Sequence, residues 1–257
     1  MARLTVDFYS DVLQKHTSMT VILPESSNNQ YGKINELKNP EPMKTLYLLH
    51  GFTDDHTIWT RRTSIERYAE SYGIAVVMPD VDHSFYSDMK FGKAYWTFLS
   101  EELVEKAERF FPFSQSRSDR YVAGLSMGGY GAIKWALRHP NQFAAVASLS
   151  GVLDLATREH GDEAIDEVMY QVYGDQSISD TEEDVFYLLK KCVSNNRTLP
   201  KIYLACGQED FLFEGNLAFK RLLDDLSVPA MTTFDHGTHE WGYWDKHIEK
   251  VLAFLPL

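Results

Sequence analysis

Chemistry is best sought first at Gly124-Leu125-Ser126-Met127-Gly128, which a short apolar run, Tyr121-Val122-Ala123, precedes and a helix-like stretch, Gly129 to Leu137, follows. A serine on a tight strand-to-helix turn, with glycine two residues to either side, has its hydroxyl pushed out of the backbone into a cleft. Such a serine is a candidate nucleophile for acyl transfer. Its hydroxyl is weak at neutral pH, so it needs a base within hydrogen-bond reach and a carboxylate to fix the tautomer of that base. The developing oxyanion needs two backbone N–H donors, one from the residue after the nucleophile and one from an earlier strand-ending loop. Met127 fills the first place, and Phe52 of His50-Gly51-Phe52-Thr53-Asp54-Asp55 the second. His50 itself reads as structural.

Chain order narrows the search for the base. Around a serine on this kind of turn the order is serine, acid, histidine, which sets aside His16, His50, His56 and His83. His139 precedes Pro140 at a helix end, His160 lies in an acidic stretch and His247 falls within the last helix. His236 and His239 remain, both in Asp235-His236-Gly237-Thr238-His239-Glu240-Trp241. His239 is preferred because it lies deeper in the loop, whereas His236 abuts the preceding strand. For the acid, Cys206-Gly207-Gln208-Glu209-Asp210 follows the run Ile202 to Ala205, and Asp210 is the choice, with Glu209 and Asp154 as alternatives.

These residues need a scaffold that gathers them. Leu4 to Tyr9 and Thr17 to Leu23 have the β-branched, alternating character of strands at a sheet edge. Short apolar runs follow at Thr45 to Leu49, Ile74 to Met78, Tyr121 to Ala123, Ala144 to Leu149, Ile202 to Ala205 and Ala230 to Phe234. Most are separated by helix-length segments, which implies a mostly parallel central sheet with helices on both faces. Ligands of such sheets bind beyond the carboxyl ends of the strands, where each candidate residue falls. Trp244, Ile248, Val251, Leu252 and Leu255 recur on one face of a final helix that should pack on the sheet. Pro24 to Met43 reads as a loop. The acidic residues between Val152 and Lys190 read as a solvated helical surface, within a cap-like insert over 152–198.

The 257 residues suit one α/β domain, 1–257, able to bury its own core. Two cysteines are too few for a disulfide framework or a zinc site, and the first residues lack a signal peptide's basic start and apolar run, which points to the cytoplasm. No run approaches the length of a membrane span. A net charge of −12 argues against nucleic acid as a partner.

The chain resembles the esterase D family of α/β-hydrolases, and within it the bacterial tributyrin esterases. The resemblance covers nearly the whole chain. It rests on Leu48-Leu49-His50-Gly51 with Asp54, Asp55 and Trp59, on Met78-Pro79-Asp80, on Gly124 to Ala132, on Gly207-Gln208-Glu209-Asp210 and on Gly237-Thr238-His239-Glu240-Trp241. It implies a serine carboxylesterase that uses Ser126, Asp210 and His239 on short-chain esters of small molecules, without cofactor or metal and as a homo-oligomer. The family also holds S-formylglutathione hydrolases, feruloyl esterases and mycolyltransferases, so thioester cleavage and acyl transfer are the alternatives. Aromatic residues crowd the expected rim at Phe52, Trp59, Tyr86, Phe91, Tyr95, Trp96, Phe211, Phe213 and Trp241, most of them expected in the core. Trp59, Phe211 and Trp241 are the ones expected to touch substrate.

Overall fold

The structure is a computed structural model that describes residues 1–25, 42–157 and 163–257. Most of the loop expected over Pro24 to Met43 lies outside those residues, as does His160. The strands are β1 (Ala2–Ser10), β2 (Lys15–Leu23), β3 (Thr45–Leu49), β4 (Ala75–Pro79), β5 (Arg120–Leu125), β6 (Ala145–Leu149), β7 (Lys201–Ala205) and β8 (Ala230–Thr233). They form one sheet in the order β1-β2-β4-β3-β5-β6-β7-β8. β1 and β2 pair antiparallel, as do β2 and β4, and the rest of the sheet is parallel. The first hairpin is longer than its apolar runs suggest, because the ladder continues through polar residues to the pair Ser10 and Lys15.

Between the strands lie α1 (Ile58–Arg62), α2 (Ile65–Tyr72), α3 (Tyr95–Thr97), α4 (Leu103–Phe110), α5 (Met127–Arg138), α6 (Glu163–Tyr173), α7 (Val185–Ser194) and α8 (Phe213–Asp225), and α9 (Trp241–Phe254) follows β8. Alternation along the strands assigns them to two faces. Tyr47 and Leu49 of β3, and Ala75 and Val77 of β4, enter a core shared with Leu103 of α4, Tyr130 of α5, Val185 of α7 and Phe219 of α8. Leu46, Leu48, Val76 and Met78 point the other way, into a core shared with Trp59 of α1, Ile65 of α2 and Trp244 and Val251 of α9. Both faces are thus covered, which is why the inner strands read as unbroken apolar runs.

The acidic stretch departs from the expected solvated surface in one place. Glu183 reaches down to Lys134 of α5, which is fully buried, at 2.7 Å. The hydroxyl of Ser87 donates to the same carboxylate at 2.6 Å, and Tyr130 donates its hydroxyl to the Glu183 carbonyl at 2.7 Å. Burial pushes the Lys134 ammonium down to about 8. Burial alone would raise Glu183, but the lysine outweighs it and holds the carboxyl below its ordinary value. Next to it, Asp184 caps α7 by accepting from the N–H groups of Phe186 and Tyr187. The insert is therefore tied to the helix that follows Ser126, and α6 above it lends Ile165 to the wall of a cleft.

Candidate active site

β5 ends at Leu125 and α5 begins at Met127, leaving Ser126 alone on the turn with φ 51° and ψ −118°. A non-glycine residue with positive φ is strained by about 1–3 kcal/mol, and the surrounding packing must hold it there. That packing is tight. A Cβ at Gly128 would lie 2.5 Å from the carbonyl oxygens of both Leu49 and His50, so only glycine lets the start of α5 cross the end of β3 this closely. The helix starts two residues earlier than its apolar periodicity indicates, because Met127 and Gly128 have already turned.

The loops after β7 and β8 bring the acid and the histidine to this turn. Asp210 sits in a turn in which its N–H donates to the Gly207 carbonyl. Its carboxylate accepts from His239 Nδ1 at 2.9 Å and from the Leu212 N–H at 2.9 Å. Burial alone would raise the Asp210 carboxyl, but these hydrogen bonds outweigh it and hold it below its ordinary value. An ionised carboxylate can only accept, so the His239 proton is on Nδ1 and Nε2 is left as an acceptor. The Ser126 hydroxyl, 3.1 Å away, donates to that nitrogen. Of the alternatives, Glu209 points outward to His236 Nδ1 at 2.8 Å, and Asp154 lines the cleft without touching His239.

The loop after β3 supplies the other side. His50 is buried; it accepts from the Val81 N–H on Nε2 at 3.1 Å and donates from Nδ1 to the Gly51 carbonyl at 2.7 Å. Its own carbonyl accepts from the Tyr86 hydroxyl at 2.8 Å. These bonds fix the backbone just before Phe52. Met127 is the first residue of α5, so its N–H is among those a helix leaves unpaired. Among the described residues, no backbone or side-chain acceptor engages the Phe52 N–H either. Both residues line the same cleft as Ser126 and His239.

The cleft encloses about 730 Å³, room for a small organic ligand. Phe52, Phe85, Val152, Leu155, Ile165, Phe211, Leu212, Trp241 and Trp244 give it an apolar wall. Phe211 stands on the rim, 79% exposed, with its ring 4.6 Å from that of His239. The structure does not bring Trp59 to the cleft. It is 1% exposed beneath the floor, where Nε1 donates to the Leu49 carbonyl at 3.0 Å and the ring meets Trp241 edge-on. Tyr86, Tyr95 and Trp96 are buried as well, Phe91 packs at a tilt against Tyr170, and Phe213 meets Phe234 edge-on. Sequence reasoning missed Trp244, whose Nε1 donates to the Ser150 hydroxyl at 3.1 Å and whose ring meets His239 edge-on at 4.8 Å. Its place one turn into α9, just past the histidine loop, was the available signal. It also missed Phe85, whose φ of 48° leaves no trace in the apolar pattern.

Among the described residues no group of side chains could hold a metal ion, and no helix is long and apolar enough to cross a membrane. The cleft thus holds a serine, a base and an orienting acid in hydrogen-bonded series, facing the Phe52 and Met127 amides.

Comparison with known proteins agrees with that arrangement. Residues 10–255 match the model of the family described as "Putative esterase". An acetyl esterase of Caldicellulosiruptor saccharolyticus is 30% identical over 99% of this chain and 98% of its own. Among solved structures, the substrate-bound fluorophosphonate-binding serine hydrolase F of Staphylococcus aureus superposes with a TM-score of 0.87 at 36% identity, covering 99% of this chain and 98% of the other. An S-formylglutathione hydrolase from the same organism gives 0.83 at 36% identity with the same coverage. The chain belongs to this esterase family, of the esterase D kind, and is a serine hydrolase with the α/β-hydrolase fold.

Proposed function

We propose that this protein is a serine carboxylesterase that hydrolyses short-chain acyl esters through an acyl-enzyme on Ser126. The observation that carries the reading is the unbroken series from Asp210 through His239 to Ser126, at 2.9 and 3.1 Å. As Ser126 Oγ attacks the ester carbonyl, its proton passes to His239 Nε2, and Asp210 stabilises the imidazolium. The Phe52 and Met127 N–H groups take the oxyanion, each donor contributing about 3 kcal/mol at the transition state. The imidazolium gives its proton to the leaving alkoxide, and a water deprotonated by His239 then releases the acid. Phe211 and Trp241 serve as contacts for substrate. The single continuous sheet supports reading 1–257 as one catalytic unit.

Turnover of nitrophenyl acetate, butyrate and octanoate by the wild type and by Ser126→Ala tests this. Expected is hydrolysis of acetate and butyrate, slower hydrolysis of octanoate, and loss of all three in the variant. Near wild-type rates in Ser126→Ala would sink the proposal. A second reading, thioester cleavage of the S-formylglutathione hydrolase type, is supported by the structural neighbour of that name. A direct rate comparison of S-formylglutathione with nitrophenyl butyrate separates the two, and ester formation from an added alcohol would reveal acyl transfer.

A further inference from the structure

Three carboxylates that line the cleft, Asp54, Asp154 and Glu240, have no part in the series just described. Asp154 lies two residues beyond Val152, whose N–H donates to the Ser126 carbonyl at 3.3 Å, so the segment crosses the elbow itself. The segment is held from the other side by Asn216 of α8, which donates to the Gly151 carbonyl at 2.8 Å. The Asp154 side chain rests directly on α8. A Cβ at Gly215 would lie 2.6 Å from its carboxyl carbon, so the glycine leaves the carboxylate its seat. Among the described residues, no N–H, hydroxyl or cation engages that carboxylate, although it lines the cleft. Asp154 is only part-buried, so its carboxylate is open to the cleft and within reach of a ligand there.

The rest of the wall defines which ligand. Asp54 and Glu240 also line the cleft, and the described lining residues include no lysine or arginine. The rings of Phe52, Phe85, Phe211, Trp241 and Trp244 supply faces that attract a cation and give an anion nothing. A substrate that brings a negative charge here loses water and gains no counter-charge from the described wall. A substrate that brings a quaternary or primary ammonium meets both a carboxylate and aromatic faces.

We propose that Asp154 is a specificity residue, selecting esters whose alcohol portion carries a positive charge over neutral isosteres, and these over anionic ones. The proposal rests on the reading of Ser126 as nucleophile.

The test is kcat/KM for three butyrate esters of similar shape: butyrylcholine, 3,3-dimethylbutyl butyrate and 2-sulfoethyl butyrate. In the wild type the cationic ester should lead the neutral one by about tenfold, the size expected for one charge at partly hydrated contact distance, with the anionic ester slowest. In Asp154→Asn the ratio of cationic to neutral should fall several-fold, and in Gly215→Ala, which drives the carboxylate off its seat, it should fall in the same direction. Asp154→Glu should retain most of it. The wild-type ratio should also shrink when ionic strength is raised, a readout that needs no variant. An unchanged ratio in Asp154→Asn or a preference for the anionic ester would overturn the proposal, whereas no hydrolysis of any of the three by the wild type would overturn the esterase reading on which it rests. Ser126→Ala on the neutral ester reads the nucleophile separately, so failure of the esterase reading and failure of the charge selection give different results.

Discussion

Two histidine–carboxylate pairs stand side by side on the same two loops, three residues apart on one and adjacent on the other. His239 donates to Asp210 at 2.9 Å, with the side chains 19% and 0% exposed. His236 donates to Glu209 at 2.8 Å, with the side chains 90% and 50% exposed. Residue types and distances are nearly the same, yet only the first pair aims its free nitrogen at a hydroxyl. The second lies in water, where a carboxylate stabilises an imidazolium weakly and nothing waits to be deprotonated. The comparison teaches that burial and aim decide whether such a pair can act as a base.

The sharpest way to break the contrast is to remove each imidazole in turn. His239→Ala should lower kcat/KM for nitrophenyl butyrate by on the order of 10^4-fold or more, while His236→Ala should stay within about twofold. Equal losses would show that the loop, and not the buried ring, matters. The carboxylates come next. Asp210→Asn should cost about 10^4-fold at neutral pH, because an amide can present its N–H to Nδ1 and favour the wrong tautomer. Glu209→Gln keeps an acceptor for the Gly237 N–H, which Glu209 now engages at 2.7 Å, so its cost should be no more than a few-fold in kcat.

A third charged pair, buried like the first, separates burial from catalysis. Lys134 and Glu183 are paired inside the protein but lie away from the Ser126 cleft. Lys134→Ala leaves Glu183 with only Arg138 and hydrogen-bond donors, and should cost about 3 kcal/mol of stability in urea unfolding. Replacing both partners with apolar residues should recover most of that loss, since the desolvation cost disappears with the charges. If the single variant unfolds no more easily than wild type, the pair is not the anchor of the insert.

The scaffold was legible because a sheet covered on both faces writes itself as short apolar runs, and every run read from the sequence coincides with a strand to within a few residues. The series Ser126, Asp210 and His239 was readable as positions just past those strands, and the structure brings these three together. What could not be read is which side a large residue faces. Trp59 sits ten residues past Leu49 and reads as a rim residue, but its indole donates to the Leu49 carbonyl beneath the floor. Trp244 fits the helical stripe of α9 and reads as core, although its ring also forms the wall behind His239. Glu183 reads as one more surface acid in an acidic stretch. The clue was on the other partner: a lysine within Ala132-Ile133-Lys134-Trp135-Ala136 has apolar neighbours on every side and must find a counter-charge.

The smallest expected effect tests the exposed pair on its own terms. Hydrogen bonding to Glu209, and then its charge, raise the His236 imidazole above its ordinary value of 6.5, while the Gly237 N–H and His236 lower the Glu209 carboxyl below 4.5. For His236, with its folded value raised, the contribution to stability is complete below pH 6.5 and is lost as pH rises through the raised value. For Glu209, with its folded value lowered, the contribution is present above pH 4.5 and is lost as pH falls through the lowered value. The pair therefore acts only between the two, and the effect is small because both groups are in solvent and screened by salt. NMR titration of the His236 ring should show the raised value at low salt and its return toward 6.5 in Glu209→Gln. The nitrophenyl butyrate pH profile should not follow that shift. Should the profile move with Glu209→Gln, the exposed pair would be coupled to the His239 base through the shared loop, and the separation drawn between the two pairs would fail.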